Sequence, residues 1–589
     1  MDWLKTLNEE QRQAVETVQG PLLIVAGPGT GKTKTLTTRI TYLIQNGHAA
    51  PSEVLALTFT KKAAEEMRER INALLPSAMP VVTTFHALCR QLLPGGRDIR
   101  FIDDHERTIL IKQLRKSVKF GDLTTRELAL EISRLKNLPP NTPITDASMR
   151  QLLDVYNQAL KERSQHDFDD LLLQAYDFLR RTKTTLPYRY ILVDEFQDTN
   201  LLQYELLQLL KQNDNICVIG DPLQSIYGFR GAGDDMFERF KADFPTAHKA
   251  VLTTNYRSRP QIVKLANMLF KDTASLTAAT SQTGHVQAVE VLNEYSEAAW
   301  IVDSIEQSVG GSDFLRSHQF EHDTQTQRTF GDFAVLYRTH HSGKAIQRRL
   351  YESGIPFQIV GDGSPYEQPD VWAIMQIMDY LAHPSDEQEA ALGSLAALRK
   401  LSSSQIRILL DRLRMRPLAK VSRLALEVAA EFGLTSKETN WLSGVLVRFD
   451  TRGIEAFSRY LSMLDMGQFY DPNIDAVSLM TIHAAKGLEF NHVFLIAAEE
   501  NILPHQRVHG QTNVDEEKRL FYVAITRAKE QLDILHAKTR AGKSALLSRF
   551  VEELDHAMLP RVGDAAMSAD ERRLKKRKAK RSQTTLFDF

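Results

Sequence analysis

The residues Ala26-Gly27-Pro28-Gly29-Thr30-Gly31-Lys32-Thr33 follow an apolar run and open a helical stretch. Glycines in that context let backbone N–H groups face phosphate oxygens, and the start of the next helix adds positive potential. Lys32 is spaced to reach the β- and γ-phosphates of a nucleoside triphosphate, and Thr33 to ligate Mg²⁺. The first position of the usual GxxxxGK[ST] pattern holds Ala26 instead of Gly. Far downstream, Val193-Asp194-Glu195 closes a second apolar run. A carboxylate there can hold Mg²⁺, which points to Asp194, and its neighbour Glu195 can orient and activate an attacking water. Alone, such an acidic pair reads as a surface feature of a strand end. After a phosphate loop it reads as the complement, and the two together imply Mg²⁺-dependent nucleoside triphosphate hydrolysis.

Chemistry of this kind needs strands that end at one edge. Leu22–Val25, Val54–Thr58, Tyr190–Val193 and Ile216–Ile219 are short apolar runs, and 61–75 reads as a helix after the second of them. Buried strands alternating with helices argue a parallel sheet covered on both faces. Between about 95 and 185 the strand signal gives way to helical periodicity. A second α/β region begins near Val286, with strands at Phe333–Tyr337 and Phe357–Val360. Helices are expected at 402–414 and 424–432, and strands again at 477–480 and 492–496. The fold class is therefore α/β, two parallel-sheet domains each interrupted by an α-helical insertion. No repeat of 20–50 residues is visible.

The chain has 589 residues, enough for several cores. With 43% hydrophobic and 25% charged residues it has ordinary globular composition, which excludes a fibrous or largely disordered chain. Two cysteines, Cys89 and Cys217, exclude a disulfide framework and, lacking CxxC or paired His neighbours, a zinc site. The first residues lack a basic n-region and an apolar h-region, so no signal peptide is expected. No apolar run approaches the ~20 residues of a membrane helix. The expected compartment is the cytoplasm of a prokaryote, or the nucleus if the source is eukaryotic. Lys+Arg total 73 and Asp+Glu 74, a net charge of −1. Eight of the ten residues 572–581 are basic, so the rest of the chain carries −9 (−1 less the eight). Nucleic-acid contacts would then be a local track on an acidic body with a basic tail.

Further motifs run in order from Leu7 to about Leu535, and together they resemble a superfamily-1 DNA helicase of the UvrD/Rep/PcrA type. The resemblance implies two RecA-like domains, ATP and Mg²⁺ as cofactors, and single-stranded and forked DNA as partners. It implies ATP-dependent 3′→5′ translocation and unwinding in repair, replication or recombination. Leu7-Asn8-x-x-Gln11 is similar to the adenine-reading segment, with Gln11 as the base contact, and the phosphate loop extends through Lys34. Thr58-Phe59-Thr60-Lys61 and Thr84-Phe85-His86 resemble DNA-contacting motifs, with Lys61 where the family often has Asn. Gly220-Asp221-Pro222-Leu223-Gln224-Ser225-Ile226-Tyr227-Gly228-Phe229-Arg230 resembles the segment coupling ATP to DNA. The family often has Asp-Asp for Pro222-Leu223 and Trp for Phe229. Gln224 would sense the γ-phosphate, and Tyr227, Phe229 and Arg230 would face DNA. In Asn255-Tyr256-Arg257, Tyr256 would stack on adenine and Arg257 approach the γ-phosphate. In Thr481-Ile482-His483-Ala484-Ala485-Lys486-Gly487-Leu488-Glu489, His483 would meet DNA and Glu489 the ribose. Arg527 would be an arginine finger from the second domain, a role suited to a planar, permanently charged guanidinium.

On this resemblance 1–94 and 166–272 form the first RecA-like domain and 95–165 its helical insertion. Residues 273–385 and 471–556 form the second domain, 386–470 a second insertion shorter than the family's, and 557–589 a basic tail. The tail ends in Gln583-Thr584-Thr585-Leu586-Phe587-Asp588-Phe589, which resembles a sliding-clamp-binding peptide. Gln583, Leu586, Phe587 and Phe589 would be its anchors, since apolar residues after a basic arm have no core to join. Three alternatives stand beside unwinding: a translocase that mainly strips proteins from DNA, a nuclease-linked recombination subunit, and a clamp-tethered scaffold. The fifty or so residues after Leu535 are too few for a nuclease domain. The complete motif set argues against a scaffold.

Overall fold

The computed structural model describes residues 2–562 apart from 77, 97–98, 103, 118–122, 141, 229–235, 272, 311–327, 362–368, 383–402, 415–419, 432–441, 443–445, 452, 456, 458–469 and 507–511. The chain divides into two compact units, Met1–Glu297 with Ala485–Phe589, and Ala298–Ala484.

In the first unit six strands form one sheet: β1 (Leu22–Ala26), β2 (Val54–Thr58), β3 (Val81–Thr84), β4 (Tyr190–Val193), β5 (Ile216–Gly220) and β6 (His248–Leu252). Their order is β3-β2-β4-β5-β1-β6, and every neighbouring pair is parallel. Side chains alternate between two apolar layers. Leu23, Leu55, Leu57, Ile191, Val193 and Val218 face one core, and Leu22, Ile24, Val54, Ala56, Leu192 and Ile219 face the other. Burial on both faces is why these strands read as unbroken apolar runs instead of alternating ones. Parallel strands also end on the same edge of the sheet, where ligands of open α/β sheets bind. The motif residues Ala26–Thr33, Thr58–Lys61, Thr84–His86, Asp194–Glu195 and Asp221–Gln224 all begin at those ends.

Four helices serve the site directly. They are α1 (Glu9–Glu16), α2 (Lys32–Gln45), α3 (Lys61–Leu74) and α4 (Phe85–Leu92). Helices Asp104–Ser117, Thr125–Lys136 and Ala147–Glu162 occupy the strand-free stretch and share their own core of Ile111, Ile132, Leu152 and Tyr156. The next helix, Phe168–Thr182, instead packs Leu171, Leu172, Ala175 and Leu179 into the sheet core.

The same unit holds a second parallel set: Phe490–Leu495 pairs with Ala528–Arg540, which pairs with His285–Asn293, which pairs with Arg561–Val562. Helix Val514–Ile525 precedes the long strand and delivers Arg527 at the turn between them.

In the second unit, Phe357–Val360, Val477–Thr481 and Phe333–Tyr337 run parallel in that order. Helix Pro369–Ala382 shares one core with Ser403–Arg414 and Val421–Glu431, through Ile374, Met375, Met378, Leu410, Leu424, Val428 and Phe457. Among the described residues no helix is long and apolar enough to cross a membrane.

Candidate nucleotide and single-strand site

The phosphate loop turns from β1 into α2 through two glycines at positive φ, Gly29 (69°) and Gly31 (83°). A Cβ on Gly31 would lie 2.7 Å from Gln11 Nε2, and one on Gly29 would lie 2.6 Å from Arg257 Cβ. Both positions therefore need glycine for conformation and for room. Asn255 Nδ2 donates to Pro28 O at 2.7 Å, and the Tyr256 N–H donates to Gly29 O at 2.8 Å. Thr30 donates its hydroxyl to Gly27 O at 2.8 Å. These bonds hold the loop's shape from both sides.

Gln11 sits in the capping box of α1: its Oε1 accepts from Asn8 N at 3.2 Å, and its Nε2 donates to Thr30 O at 2.9 Å. Tyr256 is 53% exposed and accepts from Asn8 Nδ2 at 3.0 Å, leaving its ring open to a flat partner. Lys34 points away from the loop, donating to Thr6 O at 2.6 Å.

Asp194 and Glu195 stand at the end of β4, with Glu195 in the left-handed region at φ 48°. The Glu195 N–H donates to Asp194 Oδ1 at 2.9 Å, and Lys32 Nζ lies 3.8 Å from Glu195 Oε2. Burial first, then the Glu195 charge, pushes Asp194 up to about 7. Burial would raise Glu195 too, but Lys32, Lys486 and Arg527 outweigh it and hold it below its ordinary value. Burial also raises Asp221, whose Oδ2 accepts from Gln224 Nε2 at 2.7 Å. Lys32 and Lys486 are cations that face these acids. A threonine hydroxyl and one carboxylate, with the rest of the shell left to phosphate and water oxygens, suit Mg²⁺.

Residues of the second parallel set close the site. Arg527 is 1% exposed and donates to Val523 O (3.0 Å), Leu488 O (3.0 Å), Thr526 Oγ1 (3.1 Å) and Gln224 Oε1 (3.4 Å), all neutral acceptors. Burial, and then repulsion by Arg257, lower it to about 9. Arg257 Nε pairs with Glu489 Oε2 at 2.5 Å, and Lys529 pairs with Glu489 Oε1 at 2.9 Å. Arg257 thus has one carboxylate partner and Arg527 only neutral acceptors, so a triphosphate beside the loop would give both guanidiniums a further anionic partner.

The residues read from the sequence as strand contacts lie mostly at the ends of β2 and β3. Phe59 stacks on Tyr227 at 5.7 Å and 12°, and Lys486 Nζ lies 4.9 Å over the Tyr227 ring. Tyr227 is only 7% exposed. Thr58 donates to Thr60 O, Thr60 caps α3 and Thr84 caps α4, so these hydroxyls shape the loops. Lys61 is exposed; Phe85 is buried in the sheet core. His86 is half-buried and meets Phe168 edge-on at 6.5 Å. His483, half-buried, follows Val477–Thr481 in the second unit. Phe229, Arg230 and the tail residues Gln583, Leu586, Phe587 and Phe589 lie outside the described residues.

Sequence reasoning missed several residues. Phe168 is 61% exposed and stacks on Phe101 at 4.8 Å and 4°, with Arg90 5.7 Å from the Phe101 ring. Its signal was faint: a large apolar residue at the first helical position, right after the Asp167 cap. Lys486 Nζ reaches Asp198 Oδ1 (2.6 Å), Asp198 Oδ2 (2.7 Å) and Gln224 O (2.7 Å). Arg519 Nε donates to Ser225 O at 2.8 Å, and Gly228 N to Glu516 Oε1 at 3.2 Å. Three side chains of the second set thus grip the segment 198–228 that links the carboxylates to Tyr227.

A phosphate loop on one parallel sheet, completed by an arginine from a second, defines a two-domain nucleotide-driven motor. Residues 7–245 match the UvrD/REP helicase N-terminal domain, and 250–416 with 414–539 match the UvrD-like helicase C-terminal domain. The chain belongs to the UvrD/REP helicase family, and its two α/β regions are RecA-like domains. It is 30% identical to the ATP-dependent DNA helicase PcrA of Staphylococcus epidermidis over 94% of this chain and 87% of that protein. It is also 30% identical to the protein of the same name from Bacillus subtilis over 95% of this chain and 87% of the relative.

Proposed function

We propose that the chain is an ATP-dependent DNA helicase that translocates 3′→5′ along single strands. The observation that carries this reading is the meeting of Lys32, Asp194 and Glu195 with Arg257, Gln224 and Arg527 around one phosphate loop. Lys32 and the loop Ala26 through Thr33, through its backbone N–H groups other than at Pro28, bind the triphosphate. Lys34 lies at the rim. Thr33 and Asp194 would hold Mg²⁺, which when bound would neutralise charge on the phosphate oxygens. Glu195, held ionised by the neighbouring cations, orients the attacking water and accepts its proton. Arg257 and Arg527 stabilise the charge on the transferring phosphoryl group, and Gln224, bonded to Arg527, reports it. Gln11 reads adenine, Tyr256 stacks on it, and Glu489 takes the ribose.

Ligand binding must exchange existing pairs. Lys32 leaves Glu195 for phosphate, and Arg257 loosens from Glu489, which is freed for the sugar. These exchanges give the nucleotide its differential contact with open and closed states, without which no movement could follow. Thr58, Phe59, Thr60, Lys61, Thr84 and His86 are the candidate strand contacts at the sheet edge, and the family resemblance adds His483, Phe229 and Arg230. Phe168 offers an exposed ring face, whereas Tyr227, covered by Phe59 and Lys486, must be uncovered before a base can stack on it. Stacking needs no particular base, which suits a motor. Residues 95–165 and 386–470 act as helical insertions, the second too small for the autoinhibition such a subdomain can exert. The tail residues Gln583, Leu586, Phe587 and Phe589 dock on a sliding clamp.

Single-strand-stimulated ATP turnover and unwinding of 3′-tailed against 5′-tailed duplexes test the reading. Stimulation with 3′-tail preference is expected, and preference for the 5′ tail would refute the polarity. Streptavidin displacement in parallel measures how much of the output is protein removal.

A further inference from the structure

Helix α1, which carries Gln11, is tied down by side chains with no place in the nucleotide contacts above. At its first turn, Glu10 accepts twice from Thr253: from the backbone N–H at 2.8 Å through Oε2, and from the hydroxyl at 2.6 Å through Oε1. Thr253 follows β6 and lies three residues before Tyr256. At the other end, Arg39 of α2 is 2% exposed, and its Nη1 donates to Ala14 O (2.9 Å), Val15 O (3.3 Å) and Thr17 O. The last carbonyls of a helix have no partners within it and carry the negative end of its dipole. They give the Nη1 of this buried guanidinium three acceptors, while its Nε has none. An eight-residue helix does not hold itself in water, so these ties decide where α1 sits.

We propose that Glu10 and Arg39 are positioning residues for base selection: they fix α1 against Thr253 and α2, and so set the spacing between the Gln11 amide and the Tyr256 ring that admits adenine. The inference rests on the reading that Gln11 and Tyr256 take the base. Hydrogen-bond discrimination between purines depends on such placement, because a donor out of line leaves a buried polar group unpaired. Glu10 is partly exposed and Arg39 is not, so Glu10 gives the cleaner test.

The experiment measures kcat and KM for ATP and for GTP, with saturating single-stranded DNA, in the full chain and its variants. Glu10→Ala is expected to raise KM for ATP about tenfold and to shrink the ATP/GTP ratio of kcat/KM by a similar factor, with a smaller change in kcat. Glu10→Gln keeps an acceptor for the Thr253 N–H and a donor for its hydroxyl oxygen, and recovers most of the ratio. Arg39→Lys shifts the ratio the same way by less. A general loss of stability that leaves α1 in place would lower the melting temperature without changing the ratio. An unchanged ratio in Glu10→Ala, where Gln11→Ala loses it, overturns the inference alone. An unchanged ratio in Gln11→Ala overturns the adenine reading and the inference with it.

Discussion

A guanidinium buried as deeply as Arg527 carries a desolvation cost that neutral acceptors offset only in part. Its pKa falls to about 9, so it remains charged at pH 7 in both folded and unfolded chains. The penalty is therefore present in full below pH 9. It is relieved as pH rises above about 9, where the folded chain gives up a proton that the unfolded chain still binds. Arg527→Met should raise the melting temperature of the nucleotide-free protein at neutral pH, with the gain shrinking above pH 9. The same variant should lose on the order of 10³ in ATP turnover. Differential scanning fluorimetry across pH, beside steady-state turnover, checks both halves. Lys32, Thr33, Asp194 and Glu195 were legible in the sequence because each motif is short and its spacing local. Asp198 was not, because its carboxylate meets Lys486 from 288 positions away, a proximity only the fold creates.

Strands and helices explain why those residues meet. The parallel runs are apolar enough to be read directly, whereas Ala528–Arg540 extends for 13 residues of which only Leu532, Ile534 and Leu535 are bulky aliphatics. Several of its polar positions are held by ion pairs, as with Arg540 to Glu297 and Glu499 at 2.8 and 2.7 Å, which no periodicity reveals. Phe168 at the head of its helix went unread for a related reason: an apolar first residue normally turns inward. As a stacking platform it predicts that Phe168→Ala weakens binding to oligo-dT by 1–3 kcal/mol, roughly 5- to 150-fold, while DNA-free ATP turnover is kept. Fluorescence anisotropy measures this, and unchanged affinity would remove Phe168 from the strand path. The Lys486–Asp198 bridge spans two elements and is nearly buried at both ends. Lys486→Met should lower stability by about 3–5 kcal/mol, since it leaves a carboxylate unpaired. It should also reduce DNA stimulation of turnover more than DNA-free turnover.

For the whole molecule, charge is divided between an acidic body and a basic arm at 572–581. Removing 572–589 should weaken DNA binding nearly uniformly across sequences and flatten its salt dependence, because phosphate contacts release counterions. Removing only 583–589 should spare DNA binding and abolish clamp pull-down. Two α/β regions interrupted by helices were legible from alternating apolar runs. The extent of the second helical core was not, because helix Pro369–Ala382 shares it with helices that the sequence assigns to a separate insertion. On the proposed function, ATP hydrolysis at Lys32 and Glu195 is completed by Arg527 and governed by single-stranded DNA. ATP turnover titrated with oligo-dT in wild type, Lys32→Ala and Arg527→Ala tests it most directly. Turnover in the wild type should rise at least about tenfold with DNA and vanish in both variants. Turnover indifferent to single-stranded DNA, or preserved in Arg527→Ala, would contradict it.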